Sequence, residues 1–169
     1  MAYTPSTPEL GIQPIAQSAA TGTKNHPLGF IVDAYDPTYG AGKFIYLYGV
    51  ASNVVGLVVT YNILTGLTTA VPNTANIGNP LAVSMAANTS ITTGSWYQIQ
   101  GAAVIKKTAV KVSPNVKLYI SGTAGRLMPT AASGKQVLDA ITVNAATVLS
   151  ATSTITALIN YPFAQGATA

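Results

Sequence analysis

Short runs of apolar residues separated by turn residues follow one another along most of the chain. The first two runs, Leu28–Val32 and Lys43–Val50, are rich in Phe, Ile, Val and Tyr, and a proline and two glycines lie between them. Such runs are typical of β-strands joined by turns. The same pattern predicts further strands at Val54–Tyr61, Leu67–Val71, Pro80–Ala86, Trp96–Ile99, Ala102–Val112, Val116–Ile120, Gln136–Val143 and Thr154–Phe163.

The spacing of the turn residues indicates the fold class. They recur about every 8–12 residues, which is typical of a β-sandwich or a small β-barrel. In the second run, alternation places Phe44 and Tyr46 on one face and Ile45 and Leu47 on the other, so both faces of that strand need cover. Some helical spacing over residues 137–150 is weakened by their Thr, Val and Asn content. The sequence therefore predicts an all-β fold: a single compact β-sandwich or small β-barrel domain, with less than about 15 % helix.

Residues 1–23 differ from the rest of the chain. Three prolines, with Ser, Thr, Gln and Gly between them, exclude a helix and favour an extended backbone. The sizeable apolar side chains there are Leu10, Ile12 and Ile15. Two interpretations are open: an arm that docks these side chains on another protein, or a loose terminus, the commoner fate of such segments. The predicted organisation is an extended N-terminal arm over residues 1–23 and a β-rich domain over residues 24–169.

The chain carries little charge for its size. Of its 169 residues, 49 % are hydrophobic and 7 % are charged, against about 25 % charged in an average globular protein. The hydrophobic content excludes intrinsic disorder, whereas a lone soluble monomer normally exposes far more charge. We therefore expect a subunit covered by neighbours, a homo-oligomer, with a homotrimer favoured over a homodimer.

The charges that are present lie unevenly along the sequence. The net charge is +4; three of the four acids lie within the first 36 residues, and six of the eight bases lie between residues 106 and 135. A nucleic-acid-binding surface usually needs a denser basic stripe with arginines, and this chain has one arginine. The bases are better explained as keeping strand edges soluble or meeting an acidic protein surface. No nucleic-acid partner is expected.

Features of membrane, secreted and thiol-dependent proteins are missing from the sequence. No apolar run reaches the 18 or more residues of a spanning helix, and the first residues lack the basic start and apolar stretch of a secretory signal. There is no cysteine, hence no disulfide and no thiolate metal site. We expect no membrane partner.

Groups that could carry catalysis are scarce. His26 is the single histidine, so a multi-histidine zinc site is excluded. Asp33 and Asp36 could form an acid/base pair or bind a hard cation, but such sites usually need more carboxylates, and Asp-Pro is an ordinary turn opener. The run 40–43 (GAGK) lacks the flanking residues of a phosphate-binding loop. The prediction is a protein that is not an enzyme and has no cofactor and no metal.

Two adjacent aromatic residues offer a different kind of site. Trp96 and Tyr97, beside two glutamines, could form a stacking platform for sugars or bases. Aromatic residues within a strand are more often part of a core or an interface. Both interpretations remain open from the sequence.

Several segments between Lys24 and Phe163 resemble the head decoration, or cement, proteins of tailed bacteriophages. The series KFIYLxGVAS, WYQIxG and YPF, in this order, carries the resemblance. The segments are HPLGFIVDAYDPTYGAGKFIYLYGVASNVVGLVVTYN (26–62), PLAVSMA (80–86), SWYQIQGAAV (95–104), KLYISGTAGRL (117–127) and INYPF (159–163).

The resemblance implies a non-enzymatic protein that is made in the host cytoplasm and binds the outer surface of the capsid in the virion. Its expected partners are the major capsid protein and further copies of itself, and its expected role is to reinforce the assembled head. A head-fibre base, a tail component, and a carbohydrate-binding or polysaccharide-degrading module are the alternatives. The candidate contact residues are Leu10, Ile12, Ile15, Tyr35, Tyr39, Trp96 and Tyr97.

Overall fold

The computed structural model describes residues 3–6, 11–88 and 90–167, and this part of the chain contains eleven β-strands and no helix. The all-β prediction is therefore confirmed. The strands are β1 (Thr4–Pro5), β2 (Ile31–Asp36), β3 (Gly40–Tyr48), β4 (Val58–Tyr61), β5 (Thr68–Ala70), β6 (Leu81–Ser84), β7 (Gly94–Lys106), β8 (Lys117–Ile120), β9 (Leu127–Met128), β10 (Gln136–Thr142) and β11 (Thr154–Ala164).

The central strand, β7, merges two strands that the sequence predicts separately. Gly101, a residue expected to end the first of them, lies inside β7 with a φ of +101°. A Cβ at this position would lie 2.5 Å from the carbonyl oxygen of Ala41. The register between β3 and β7 shifts at Lys43 and Phe44, next to this close approach. Glycine here permits a bulge inside a continuous strand and does not terminate it.

All strand pairs are antiparallel and belong to one connected sheet. The first half of β7 pairs with β3 and β6, and its second half pairs with β11. The main order is β1-β2-β3-β7-β11-β10-β8-β9, and β4 and β5 join through β6. Strands from the β4–β6 branch and from the β8–β9 end line the same apolar cluster, so the sheet wraps around that cluster as one compact domain.

Three apolar clusters fill the interior, and we call them the first, second and third core. The first core is built from residues of β4 and β6 and of strands β7 to β11, and it includes Val58, Leu118 and Ile159. The second core includes Phe44 and Trp96. The third core includes Ile45, Leu47, Val59, Ala82, Tyr97 and Ile99. The prediction that β3 is covered on both faces is confirmed, since its alternate side chains enter the second and third cores.

The described residues of the N-terminal segment form no helix and lie on the chain's own domain. Strand β1 pairs with β2, and the backbone of Ala19 donates to Gly94 at 2.9 Å. Tyr3 and Ile15 are buried in the second core, and Ile12 packs against it. The prolines disfavour a helix, and the backbone bonds partly within turns, such as Gln17 N–H to Pro14, and partly to Gly94 of β7. Residues 11–23 are thus neither a reaching arm nor a loose terminus; Leu10 lies outside the described residues.

Candidate interaction surface

The titratable groups considered for catalysis each have a structural partner. The Asp36 carboxylate is buried and accepts hydrogen bonds from the backbone N–H groups of Thr38 (2.7 Å) and Tyr39 (3.1 Å), so it closes the β2–β3 turn. Asp33 forms a 3.0 Å ion pair with Lys43. Within residues 3–6, 11–88 and 90–167, no group of three or more His, Cys, Asp or Glu side chains could hold a metal ion.

The adjacent aromatic residues of β7 are not on the surface. Trp96 and Tyr97 are both fully buried, the first in the second core and the second in the third core. The indole Nε1 of Trp96 donates to the carbonyl oxygen of Gln13 at 2.9 Å. Burial raises the pKa of Tyr97 to about 12. The stacking-platform hypothesis is therefore wrong, because β7 is a central strand whose alternate residues enter two different cores.

A glutamine that the sequence does not single out fastens the N-terminal segment. Gln13 is buried, and its Oε1 accepts from the hydroxyl of Tyr46 and from Nδ2 of Asn25, both at 2.9 Å. Its Nε2 donates to the carbonyl of Gln17 at 2.6 Å, and its backbone N–H donates to Nε2 of His26 at 2.9 Å. The single histidine thus helps to hold this segment in place.

The six bases between residues 106 and 135 are not all on the surface. Lys107 is fully buried, and its ammonium donates to the carbonyl oxygens of Thr108 (3.2 Å), Val110 (2.8 Å) and Ser150 (3.4 Å). Burial lowers the pKa of Lys107. The half-buried Arg126 donates to the carbonyl of Lys107 at 3.3 Å. Two of the six bases in this stretch are therefore tied to the fold.

Most of the other candidate contact residues lie around the second core. Ile15 is inside it, and Ile12 and Tyr39 are half-buried against it. All three therefore contribute to the packing of the second core, and Ile15 is buried there. Tyr35, at 55 % exposure, is the one described candidate that stands clear on the surface.

A different apolar surface emerges on the outer side of β10 and β11. We call it the β10–β11 face, and its members are 39–49 % exposed. Leu138 lies opposite Phe163 and Ile141 opposite Leu158 in the strand register. Neighbouring exposed apolar side chains of this kind are typical of contact surfaces. The residues of this face are Leu138, Ile141, Leu158, Tyr161 and Phe163.

The charged groups around the β10–β11 face are of both signs. Two shallow depressions, of about 590 and 600 Å³, share Leu158 and its two following residues. The Asp33–Lys43 ion pair lies along the first depression, and Lys117 and Asp139 line the second. Asp139 sits at a bulge in β10 with a φ of +56°. Asp tolerates this left-handed conformation better than most residues, and the bulge leaves its side chain exposed.

The loop between β4 and β5 presents a second apolar element. Leu64 is 91 % exposed at its tip, beside the exposed Ile63 and Leu67. The Asn62 side chain accepts from the N–H groups of Leu64 (2.9 Å) and Thr65 (3.2 Å). These bonds form a fixed turn. The hairpin tip, residues 62–67, therefore projects its apolar side chains from a preformed backbone.

These features define an all-β protein that exposes apolar side chains on the β10–β11 face and on the hairpin tip. No protein-family model matches the chain, and neither a curated protein nor a solved structure is significantly similar to it. A search for membrane-spanning helices in the described part of the chain finds none that is long and apolar enough.

Proposed function

We propose that this chain is a decoration, or cement, protein of a tailed-bacteriophage head. In this role it is a non-enzymatic homo-oligomer that binds the outer surface of the assembled capsid and links neighbouring copies of the major capsid protein. The proposal starts from the resemblance of the segments between residues 26 and 163, and the confirmed all-β fold is compatible with it.

The observation that supports the proposal most is the exposed apolar surface. At least fifteen large apolar side chains are exposed in the described part of the chain, while only 7 % of all residues are charged. Such a surface is more typical of a protein that binds other proteins than of a dispersed monomer. A virion surface protein that is permanently covered along these patches would have this composition.

The hairpin tip is the element that we assign to the capsid contact. Its turn is preformed, so less conformational entropy is lost when it docks. Full burial of a large aliphatic side chain contributes roughly 1.5–3 kcal/mol, and Leu64 starts almost fully exposed. A protein that binds the assembled shell and not the dispersed subunits stabilises the shell by mass action. Many linked copies multiply this modest contact energy.

Mixing the purified protein with undecorated phage heads and with dispersed capsid subunits tests the proposal. We expect co-sedimentation with heads only, and a higher temperature of head rupture in its presence. Leu64→Ser should weaken attachment, whereas Leu149→Ser, which removes a 60 % exposed leucine from a different loop, should not. Labelled protein found on fibres or tails, or bound to glycans and not to heads, would contradict the decoration role.

A further inference from the structure

The described part of the chain leaves the β10–β11 face partly exposed. Its five large apolar side chains are each at least 39 % exposed, and they belong to two adjacent paired strands. The inner side of the same strands is occupied by the first core, which includes Val137, Ile155 and Ile159. The outer side therefore presents an apolar strip of the kind that sheets bury against another sheet.

The charges that flank this strip are unpaired and opposite. Three acids lie in the described part of the chain: Asp33 pairs with Lys43, Asp36 closes a turn, and Asp139 is exposed. Neither Asp139 nor the exposed Lys117 forms an ion pair with another described residue.

Lys117 lies opposite Ile141 in the register between β8 and β10, and therefore beside the strip. A surface made for a purely acidic or purely basic partner would carry one sign of charge. This surface carries one charge of each sign.

We propose that the β10–β11 face binds the same face of a second copy of this chain. In a two-fold arrangement every contact occurs twice: residue i of one copy meets residue j of the other, and residue j meets residue i. Leu158 and Ile141 then stack on the apolar strip of the second copy, and Asp139 of each copy meets Lys117 of the other. A two-fold interface yields dimers, in contrast to the trimer that the sequence favours.

This inference deepens the proposed function by naming the surface of the oligomer, and its test needs no capsid, so that the two can fail separately. The molar mass of the full chain is measured by light scattering and sedimentation between about 5 and 200 µM. We expect a dimer that Leu158→Glu converts to a monomer, and that Leu158→Ser weakens. Leu64→Ser is the matched control and should leave the mass unchanged. Circular dichroism melting shows that each variant is folded.

A charge swap tests the arrangement more sharply. Asp139→Lys and Lys117→Glu each replace attraction by repulsion at both ends of the interface, and we expect each to raise the dimer Kd at least about tenfold. The double variant restores opposite charges and should return the Kd to within about threefold of the original. Lysine fits the left-handed backbone at position 139 less well, but the single and double variants share this strain. Asp139→Asn keeps the local backbone and should show the loss of attraction alone.

The outcomes separate the possible occupants of the face. A monomer at 200 µM, an unchanged mass for Leu158→Glu, or a double variant no tighter than Asp139→Lys would each overturn the proposal. A chain that is monomeric, but whose Leu158→Glu variant no longer binds heads, would place the capsid on this face instead.

Discussion

Strands β3 and β11 have the same kind of sequence and different surroundings. Both alternate apolar residues onto two faces. In β3 these residues are Phe44 and Tyr46 on one face and Ile45 and Leu47 on the other, and all four are buried. In β11, Ile159 is buried in the first core whereas Leu158, next to it, is 49 % exposed.

The difference comes from what the rest of the chain supplies. One face of β3 is covered by Tyr3 and Ile15 of the N-terminal segment, and the other by Val59 and Ala82. No described segment covers the outer side of β11. The sequence of a strand that is apolar on both faces therefore predicts that both faces are covered. It does not indicate whether the covering residues belong to the same chain.

Substituting one leucine from each strand gives the largest expected contrast. Leu47→Ala empties a fully buried site in the third core and should lower the free energy of unfolding by about 2–5 kcal/mol. Leu158→Ala removes a half-exposed side chain and should cost less than about 1 kcal/mol. Urea unfolding at low micromolar concentration, where association is minimal, measures both. Equal losses would mean that β11 is as well covered as β3.

Alkaline pH probes how dry the covered side of β3 is. The pKa of Tyr97, in the third core, is raised from 10.0 to about 12 by burial. Above pH 10 the unfolded chain therefore loses this proton while the folded chain keeps it. The stability contributed below pH 10 is lost as the pH rises towards 12, by roughly 3 kcal/mol at most.

The measurement is the free energy of unfolding from pH 9 to 12, for the original chain and for Tyr97→Phe. The variant should lose less stability over this range. Parallel curves for the two proteins would show that water reaches the Tyr97 hydroxyl.

Loosening the cover over β3 should affect stability less than emptying its core or ionising Tyr97. Gln13→Ala removes the side-chain bonds to Tyr46, Asn25 and Gln17 and should cost about 1–2 kcal/mol. We expect residues 11–23 to become sensitive to proteases while the β domain stays folded. Gln17→Ala is the matched control, because the carbonyl of Gln17 and not its exposed side chain makes the bond. Equal protection in both variants would show that Gln13 does not fasten the segment.

The sequence predicts the longest strands and the fold class, but β1 and β9 are missed, and the predicted strand Leu28–Val32 lies at Ile31–Asp36. The surfaces are predicted poorly, for physical reasons that particular residues illustrate. Period-two alternation is a local property, so β3 and β11 are predicted with nearly their observed bounds. Whether Trp96 and Tyr97 are exposed depends on the strands on either side of β7, which no local pattern contains. The docking of the N-terminal segment depends on Gln13 meeting Trp96, 83 residues further along the chain.

The β10–β11 face could have been found from the sequence by one available signal. The segment ALINYPF (157–163) is apolar on both faces, as KFIYLY (43–48) is. Asp139 gives no such signal, because its exposure follows from a bulge that appears only when β10 is paired with β11. The charge beside the apolar strip is thus a property of the folded sheet.

The contacts of the N-terminal segment also bear on the order in which the chain folds during synthesis. Tyr3 donates its hydroxyl to the carbonyl of Ala102, 99 residues away, and Gln13 waits for Trp96. Tyr3 and Gln13 therefore leave the ribosome well before the residues that they contact, and contacts of such long sequence separation slow folding. Until β7 has been synthesised, the N-terminal segment lacks the partners on β7 that hold it over Phe44: the carbonyls of Gly94 and Ala102 and the indole of Trp96.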